Sequence, residues 1–189
     1  MPRILGGDFK GRTIVAPAAI RATEAKVRQA LFNILGTAID GARVADVFAG
    51  SGALGLEALS RGAAFVAFIE SDAEAVACLQ DNLRRLANEL PREAWRVVHL
   101  DAERGLPALA QAEAPLDIVL MDPPYRTDDG KKALNALSDC AILAPTGIVV
   151  VEHDRRTVLP PSIGPLLQWK QHRYGDTVLS LYQAGAHRP

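Results

Sequence analysis

The chain has 189 residues, of which 49% are apolar and 23% charged, and its formal net charge is −1. That apolar content can fill the core of one ordinary domain and excludes a disordered chain, while the near-zero balance argues against a general nucleic-acid binder. The longest apolar runs are too short to span a bilayer, and the first residues lack the basic-then-apolar order of a signal peptide, so a cytoplasmic protein with no membrane partner is expected.

Charge is unevenly spread. Residues 1–36 hold Arg3, Lys10, Arg12, Arg21, Lys26 and Arg28 against Asp8 and Glu24, so this segment is +4 and the remainder −5. A basic arm on an acidic body suits a surface that tracks phosphates, and equally an ordinary solvated one. Within it, Arg3-Ile4-Leu5 and Gly11-Arg12-Thr13-Ile14-Val15 flank a Gly6-Gly7 pair. Two short β-prone runs around glycines predict a hairpin over residues 1–22, standing outside a main domain of residues 23–189. Thr23 fits an N-cap, and Val27, Ala30, Leu31, Ile34 and Leu35 recur at helical spacing up to Gly36. That pattern leaves Arg21, Lys26 and Arg28 to solvent or ligand.

From Arg43 onward strand and helix alternate over short connections. Strands are predicted at about 43–48, 65–70, 95–100, 116–121 and 147–152, with helices at about 53–61, 72–88, 102–111 and 130–142. The helix after Glu70 is the clearest, with Asp72 and Glu74 in its first turn and Arg84 and Arg85 in its last, as the helix dipole favours. Such alternation implies a parallel sheet covered on both faces, with ligands beyond the carboxyl ends of the strands. A proline-rich loop with Pro160, Pro161 and Pro165 follows, then runs over 166–173 and 177–182 around Tyr174-Gly175-Asp176. These predict an antiparallel hairpin that completes a seven-stranded, mostly parallel α/β sheet.

Cys78 and Cys140 have no metal or CxxC spacing and read as buried free thiols. His153 has no partner spacing for a metal and reads as structural or as lining the edge of a site, and Ser51 is not in a GxSxG elbow. No metal is expected.

The strand exits carry the chemistry. Asp46, Glu70, Asp101 and Asp122 stand at or just after four successive strand ends, and like charges gathered on one sheet edge repel unless water or a cationic, donor-rich ligand relieves them. The fourth exit is Asp122-Pro123-Pro124-Tyr125. Neither proline can donate to a ladder, so the strand stops there and offers a carboxylate, a carbonyl and an aromatic ring. That set suits a planar ligand with an exocyclic NH2, and equally an ordinary strand-to-loop turn. At the first exit, Gly50, Gly52 and Gly55 have the GxGxxG spacing, with Glu70 twenty residues past Gly50. A dinucleotide-binding module is the competing reading. The acid-lined edge repels a pyrophosphate and favours the ammonium and sulfonium of S-adenosylmethionine.

The run Asp46-Val47-Phe48-Ala49-Gly50-Ser51-Gly52-Ala53-Leu54-Gly55 onward to Gly62, together with Asp122-Pro123-Pro124-Tyr125, resembles the bacterial family of methyltransferases that modify the exocyclic N2 of a guanine in 16S ribosomal RNA. The resemblance extends to Arg3-Ile4, Lys10-Gly11-Arg12, Val27 to Asn33 and Arg173 to Thr177, and departs at Ala22 and Ala25, where the family has proline and aspartate. It implies a Rossmann-like class I methyltransferase fold, S-adenosylmethionine as cofactor, and 16S rRNA or the assembling small ribosomal subunit as partner of a monomer. Asp122, Pro123, Pro124 and Tyr125 are then the catalytic candidates. Asp46, Phe48, Ala49, Gly50, Ser51, Gly52, Glu70, Ser71, Asp101 and Ala102 are the cofactor candidates. Arg3, Lys10, Arg12, Arg28 and Arg126 are the RNA candidates, with Lys131 and Lys132 as further candidate phosphate contacts. Two rivals remain at this stage: an amino methyltransferase acting on adenine N6 or a protein glutamine, and a nucleotide-binding module without catalysis.

Overall fold

The computed structural model describes residues 2–16, 25–113, 115–125 and 127–185. Five of its strands are β1 (Arg43–Val47), β2 (Phe65–Glu70), β3 (Trp95–His99), β4 (Leu116–Met121) and β5 (Leu143–Asp154). The remaining three are β6 (Ser162–Ile163), β7 (Leu166–Tyr174) and β8 (Thr177–Ala184). The helices are α1 (Ala25–Leu35), α2 (Ala53–Ser60), α3 (Ala73–Leu86), α4 (Ala102–Glu113) and α5 (Asp129–Asp139). All eight strands form one sheet in the order β3-β2-β1-β4-β5-β8-β7-β6. β1 to β5 pair in parallel, and β8 runs antiparallel between β5 and β7.

The sheet therefore has eight strands where seven were expected. The extra one, β6, is two residues long and lies in the proline-rich stretch read as loop, where Ser162 and Ile163 pair with Leu167 and Leu166. β5 also begins at Leu143, four residues early, with a register irregularity opposite Leu116 and Ile118. Runs such as Phe65-Val66-Ala67-Phe68-Ile69 are buried throughout because both faces are covered. On one face Val44, Val66, Phe68, Ile118, Leu120 and Val150 pack under α1, α2 and α3. On the other, Ala45, Val47, Ala67, Val119 and Val151 pack under α4 and α5.

α3 has the end chemistry its sequence promised: Asp72 caps it by accepting the Ala75 N–H at 2.8 Å. α2 differs, since all eight of its residues are buried, Glu57 included. It is enclosed because the N-terminal segment lies across it. That segment does not stand apart as expected: it closes with a single antiparallel bridge, Arg3 to Thr13, and sends Ile4, Phe9 and Ile14 into the same core as α1 to α3. Each such side chain stabilises the fold by about 1.5–3 kcal/mol, enough to hold a segment with so little pairing of its own.

Arg28 also departs from expectation. It is 1% exposed, on the buried stripe with Leu31, Phe32 and Leu35. Its Nη2 donates to the Arg3 carbonyl at 2.5 Å, and its Nε lies 3.7 Å from Glu57 Oε2. Glu57 also accepts from Arg61 Nε and from the Leu5 N–H, each at 2.7 Å. Burial lowers the Arg28 pKa, opposed by the neighbouring Glu57. An arginine spent inside this cluster cannot touch RNA. Cys78 and Cys140 are free thiols, half-buried rather than buried. Arg21, Ala22, Thr23 and Arg126 lie outside the described residues.

Candidate active site at the carboxyl edge of the sheet

The strand order reverses between β1 and β4, whose following helices pack on opposite faces, and open α/β sheets bind ligands at that switch point. A cavity of about 540 Å³ opens there. One end is built from the exits of β2 and β3, with Glu70, Ser71, Asp72, Leu100, Asp101 and Ala102. The other comes from β4 and β5, with Asp122, Pro123, Pro124, Tyr125 and Glu152. Asp46, Phe48, Ala49, Gly50 and Ser51 lie between them. Thirteen of the fourteen catalytic and cofactor candidates thus share one cavity.

Gly52 is the exception. It takes φ +84°, and a Cβ there would sit 2.4 Å from Leu79 Cδ1. Its bareness serves the turn and the packing beneath α3. Gly55 acts likewise, since a Cβ would meet Phe68 Cε1 at 2.2 Å. Phe48 turns the loop with φ +66°, a value rare for a side-chain-bearing residue. The strain is of order 1–3 kcal/mol, and bonds from the Phe48 and Ala49 N–H groups to the Ile69 carbonyl, at 3.0 and 3.1 Å, hold the turn.

Each acid has a defined setting. Asp46 is 1% exposed and accepts the Gly55 N–H at 2.8 Å, tying β1 to the first turn of α2. Burial raises its pKa well above the ordinary carboxylate range, the Gly55 bond opposes this, and Asp122 and Glu70 raise it further. Glu70 accepts the Gly50 N–H at 2.7 Å and those of Ser71 and Asp72 at 2.8 Å, so one side chain joins the glycine loop to the β2–α3 turn. Asp101 accepts the Arg104 N–H at 2.9 Å as the cap of α4. The backbone N–H of Asp122 donates to the Val47 carbonyl at 3.3 Å, which pins the end of β4 to β1.

Tyr125 is held at its far end. Its hydroxyl donates to Glu152 Oε1 and meets Thr177 Oγ1, both at 3.0 Å. Burial, with Glu152 and Asp122 adding to it and Thr177 opposing, pushes its pKa up to about 12, so the phenol keeps its proton at neutral pH. Eight lining residues are carboxylic acids, namely Asp46, Glu70, Asp72, Asp101, Glu103, Asp122, Asp129 and Glu152, and among the described residues no lysine or arginine joins them. Such a wall fits a cation bearing hydroxyls and amines and is hostile to a diphosphate.

Four of these acids, Asp72, Glu103, Asp129 and Glu152, were not foreseen at the cavity. Glu152 had a signal: it ends Val149-Val150-Val151 as Glu70 ends its own run. The following His153 is buried, bonds the Asp154 carbonyl and Ser180 Oγ at 2.9 and 2.8 Å, and does not line this cavity.

Of the described RNA candidates, Arg3, Lys10 and Arg12 lie elsewhere, whereas Lys132 stands beside the cavity acids, its Nζ 3.9 Å from Asp129 and 4.0 Å from Glu103. α2 and α3 run from the cavity edge to the opposite edge of the sheet, where Ser60, the last residue of α2, accepts the N–H groups of Asp8 and Phe9. Arg12 pairs with Glu89, just past the end of α3. Lys10 and Arg12, both exposed, therefore stand about one α3 length, roughly 20 Å, from the cavity mouth.

The chain and its fold are similar to those of known proteins. A family model described as "Conserved hypothetical protein 95" matches residues 2–183. Ribosomal RNA small subunit methyltransferase D of Escherichia coli K12 is 39% identical over 189 residues, covering 97% of this chain and 90% of that protein. Hypothetical protein TTHA0928 of Thermus thermophilus superposes with a TM-score of 0.82 at 32% identity, covering 97% of this chain and 99% of that one. At the level of fold alone, SMU.776, solved in complex with SAH, gives a TM-score of 0.64 at 15% identity over 86% of this chain and 50% of that one.

Proposed function

This chain belongs to the family of ribosomal RNA small subunit methyltransferase D, and on that premise we propose that it methylates the exocyclic N2 of a guanine in 16S ribosomal RNA. S-adenosylmethionine is the donor, and the RNA or the assembling small subunit is the substrate. The observation that carries this reading is the acid wall around the cavity, without a lysine or arginine among the described residues. When bound, S-adenosylmethionine supplies a methyl carbon made electrophilic by its sulfonium. Glu70 and Ser71 would hold the ribose hydroxyls, Asp101 and the Ala102 amide the adenine, and Asp46 the ammonium. The Phe48 to Ser51 backbone would support the methionine part, and Gly52 shapes that loop from behind. Glu70 already spends three of about four lone-pair directions on amides, so its remaining direction serves the ribose.

At the other end the difficulty is the nucleophile, because the lone pair of an exocyclic amine is delocalised into the base. Asp122 and the Pro123 carbonyl accept the two amine hydrogens and hold the nitrogen pyramidal. In the transfer the N–C bond would form as the carbon–sulfur bond breaks, its electron pair staying on sulfur to leave S-adenosylhomocysteine, and Asp122 would take one of the amine protons. Pro124 ends the ladder so that the carbonyl stays available. Tyr125 stacks on a base taken out of its helix. Its tethered, protonated hydroxyl makes it a positioning group, not a base.

The test is to incubate the protein and Asp122→Ala with methyl-labelled S-adenosylmethionine and small ribosomal subunits, then digest the RNA and identify the labelled nucleoside. Wild-type protein should yield N2-methylguanosine. Asp122→Ala should lose on the order of 10²–10⁴ in transfer rate while binding the cofactor within a fewfold by calorimetry. Label on N6-methyladenosine, or on protein, overturns the guanine reading.

A further inference from the structure

The acceptor end of the cavity holds a second carboxylate beside Asp122. Glu152 is 4% exposed, forms part of the cavity wall and stands on β5, the strand bonded to β4. The last registered pair of those strands is Met121 with Val151, so Asp122 and Glu152 come next, side by side on strands about 4.8 Å apart. Leu120 and Val150 enter the core under α1 to α3, and Met121 and Val151 enter the opposite one. Continued by one residue, that alternation puts Asp122 and Glu152 on the same face of the sheet. The other deep acids serve backbone amides: Asp46 that of Gly55, Glu70 those of Gly50, Ser71 and Asp72. Glu152 instead takes the hydroxyl of Tyr125, the residue that closes the acceptor motif, so its carboxylate is oriented by the same ring that would lie on the base.

Resting on the guanine reading above, we infer that Glu152 is the residue that selects guanine, by accepting the ring N1–H while Asp122 accepts from N2. The pairing edge of guanine presents two neighbouring donors, N1–H and the amine. Adenine presents an amine beside a bare ring nitrogen. The carboxylate of Glu152 already acts as an acceptor toward the Tyr125 hydroxyl, so in that role it completes a bond to guanine and sets lone pair against lone pair with adenine. In a buried site that mismatch leaves two groups unpaired. Sites built around a substrate N–H discriminate against analogues lacking it by as much as 10⁴–10⁵. Two adjacent carboxylates also repel each other, and the paired donors of guanine relieve that repulsion where adenine relieves only half of it.

The probe is substrate RNA in which the methylated guanine, mapped first with the wild-type protein on small subunits, is replaced by 2-aminopurine. That base keeps the 2-amine but has an acceptor at N1. Wild-type protein should methylate guanine at least about a hundredfold faster than 2-aminopurine. Glu152→Gln, whose amide can turn its NH2 toward the ring nitrogen, should lower that ratio at least about tenfold. Glu152→Asp, which keeps the charge but withdraws it by one carbon, should lower it as well and serves if the first variant does not fold. Thr177→Val removes one anchor of the Tyr125 hydroxyl but no carboxylate, so it should slow transfer to both bases alike and keep the wild-type ratio. Equal ratios in wild-type protein and the folded Glu152 variants overturn the inference, and so does a Thr177→Val ratio that falls as far as theirs. N6-methyladenosine at the mapping step overturns the guanine reading itself, before any variant is compared.

Discussion

The N-terminal segment and the cavity carry opposite charges, and they differ more in how those charges are used. In the segment, two of the described basic residues are spent on internal partners. Arg28 lies in a buried cluster with Glu57 and Arg61, Arg12 pairs with Glu89, and the segment is pinned at the far ends of α2 and α3. At the cavity, eight acids face one space with no lysine or arginine among the described lining residues, and burial raises the pKa of Asp46. A sequence shows the sign of a charge but not whether a partner has already neutralised it. Net charge alone would have given the basic segment the functional role and made the acids ordinary caps.

The sharpest way to break this contrast is Glu57→Ala. Removing the acid leaves Arg28 buried and unpaired, and destabilisation of about 3–5 kcal/mol is expected in denaturant titration. Glu57→Gln should recover part of it, since it can still accept from Arg61 and Leu5. A loss below about 1 kcal/mol, the range of exposed pairs, would mean that the cluster is not the staple of the segment.

Asp46→Asn probes the other side, with an effect of about 1–3 kcal/mol. The folded-state pKa of Asp46 lies above its unfolded value, so the native state binds the extra proton. Its stability therefore falls as pH rises from the ordinary carboxylate range through the raised pKa. The asparagine variant escapes that fall, should be more stable than wild type at pH 8 than at pH 4, and should bind S-adenosylmethionine more weakly. Equal stabilities at both values would show that the Asp46 charge is already compensated.

Lys10→Ala should change least. Its stability should stay within about 0.5 kcal/mol. If this flank meets phosphates, as the family resemblance implies for Lys10, RNA affinity should weaken uniformly across sequences and the salt slope should drop by about one. An unchanged slope removes the flank from the substrate interface.

The central fold was legible because parallel strands covered on both faces read as unbroken apolar runs, and because an acid at each exit marks the edge where ligands bind. The strands at 65–70 and 116–121 need no correction. What failed to show depended on distant partners. Two residues between prolines carry no strand signal, and β6 exists only because Leu166 and Leu167 lie beside it. The apolar pattern counted from Val27 and Ala30 left Arg28 to solvent or ligand, although it shares helical spacing with Leu31, Phe32 and Leu35. Its charge pointed the same way, and the compensating Glu57 is 29 positions away in an apolar helix. Glu152 had the same strand-end signature as Glu70, yet nothing local told that β8 would bring Thr177 to share the Tyr125 hydroxyl.

The position of β8 bears on how the protein is made. Thr177–Ala184 threads between β5 and β7, both of which leave the ribosome before it. Until it arrives, β5 presents a bare, apolar edge of the kind that invites wrong pairings, and β6 and β7 pair only with each other. Because Thr177 also anchors Tyr125, β8, translated after every other described strand, both closes the sheet and finishes the pocket. A nascent chain stalled before it should be aggregation-prone and unable to grip its acceptor, however well its glycine loop has formed.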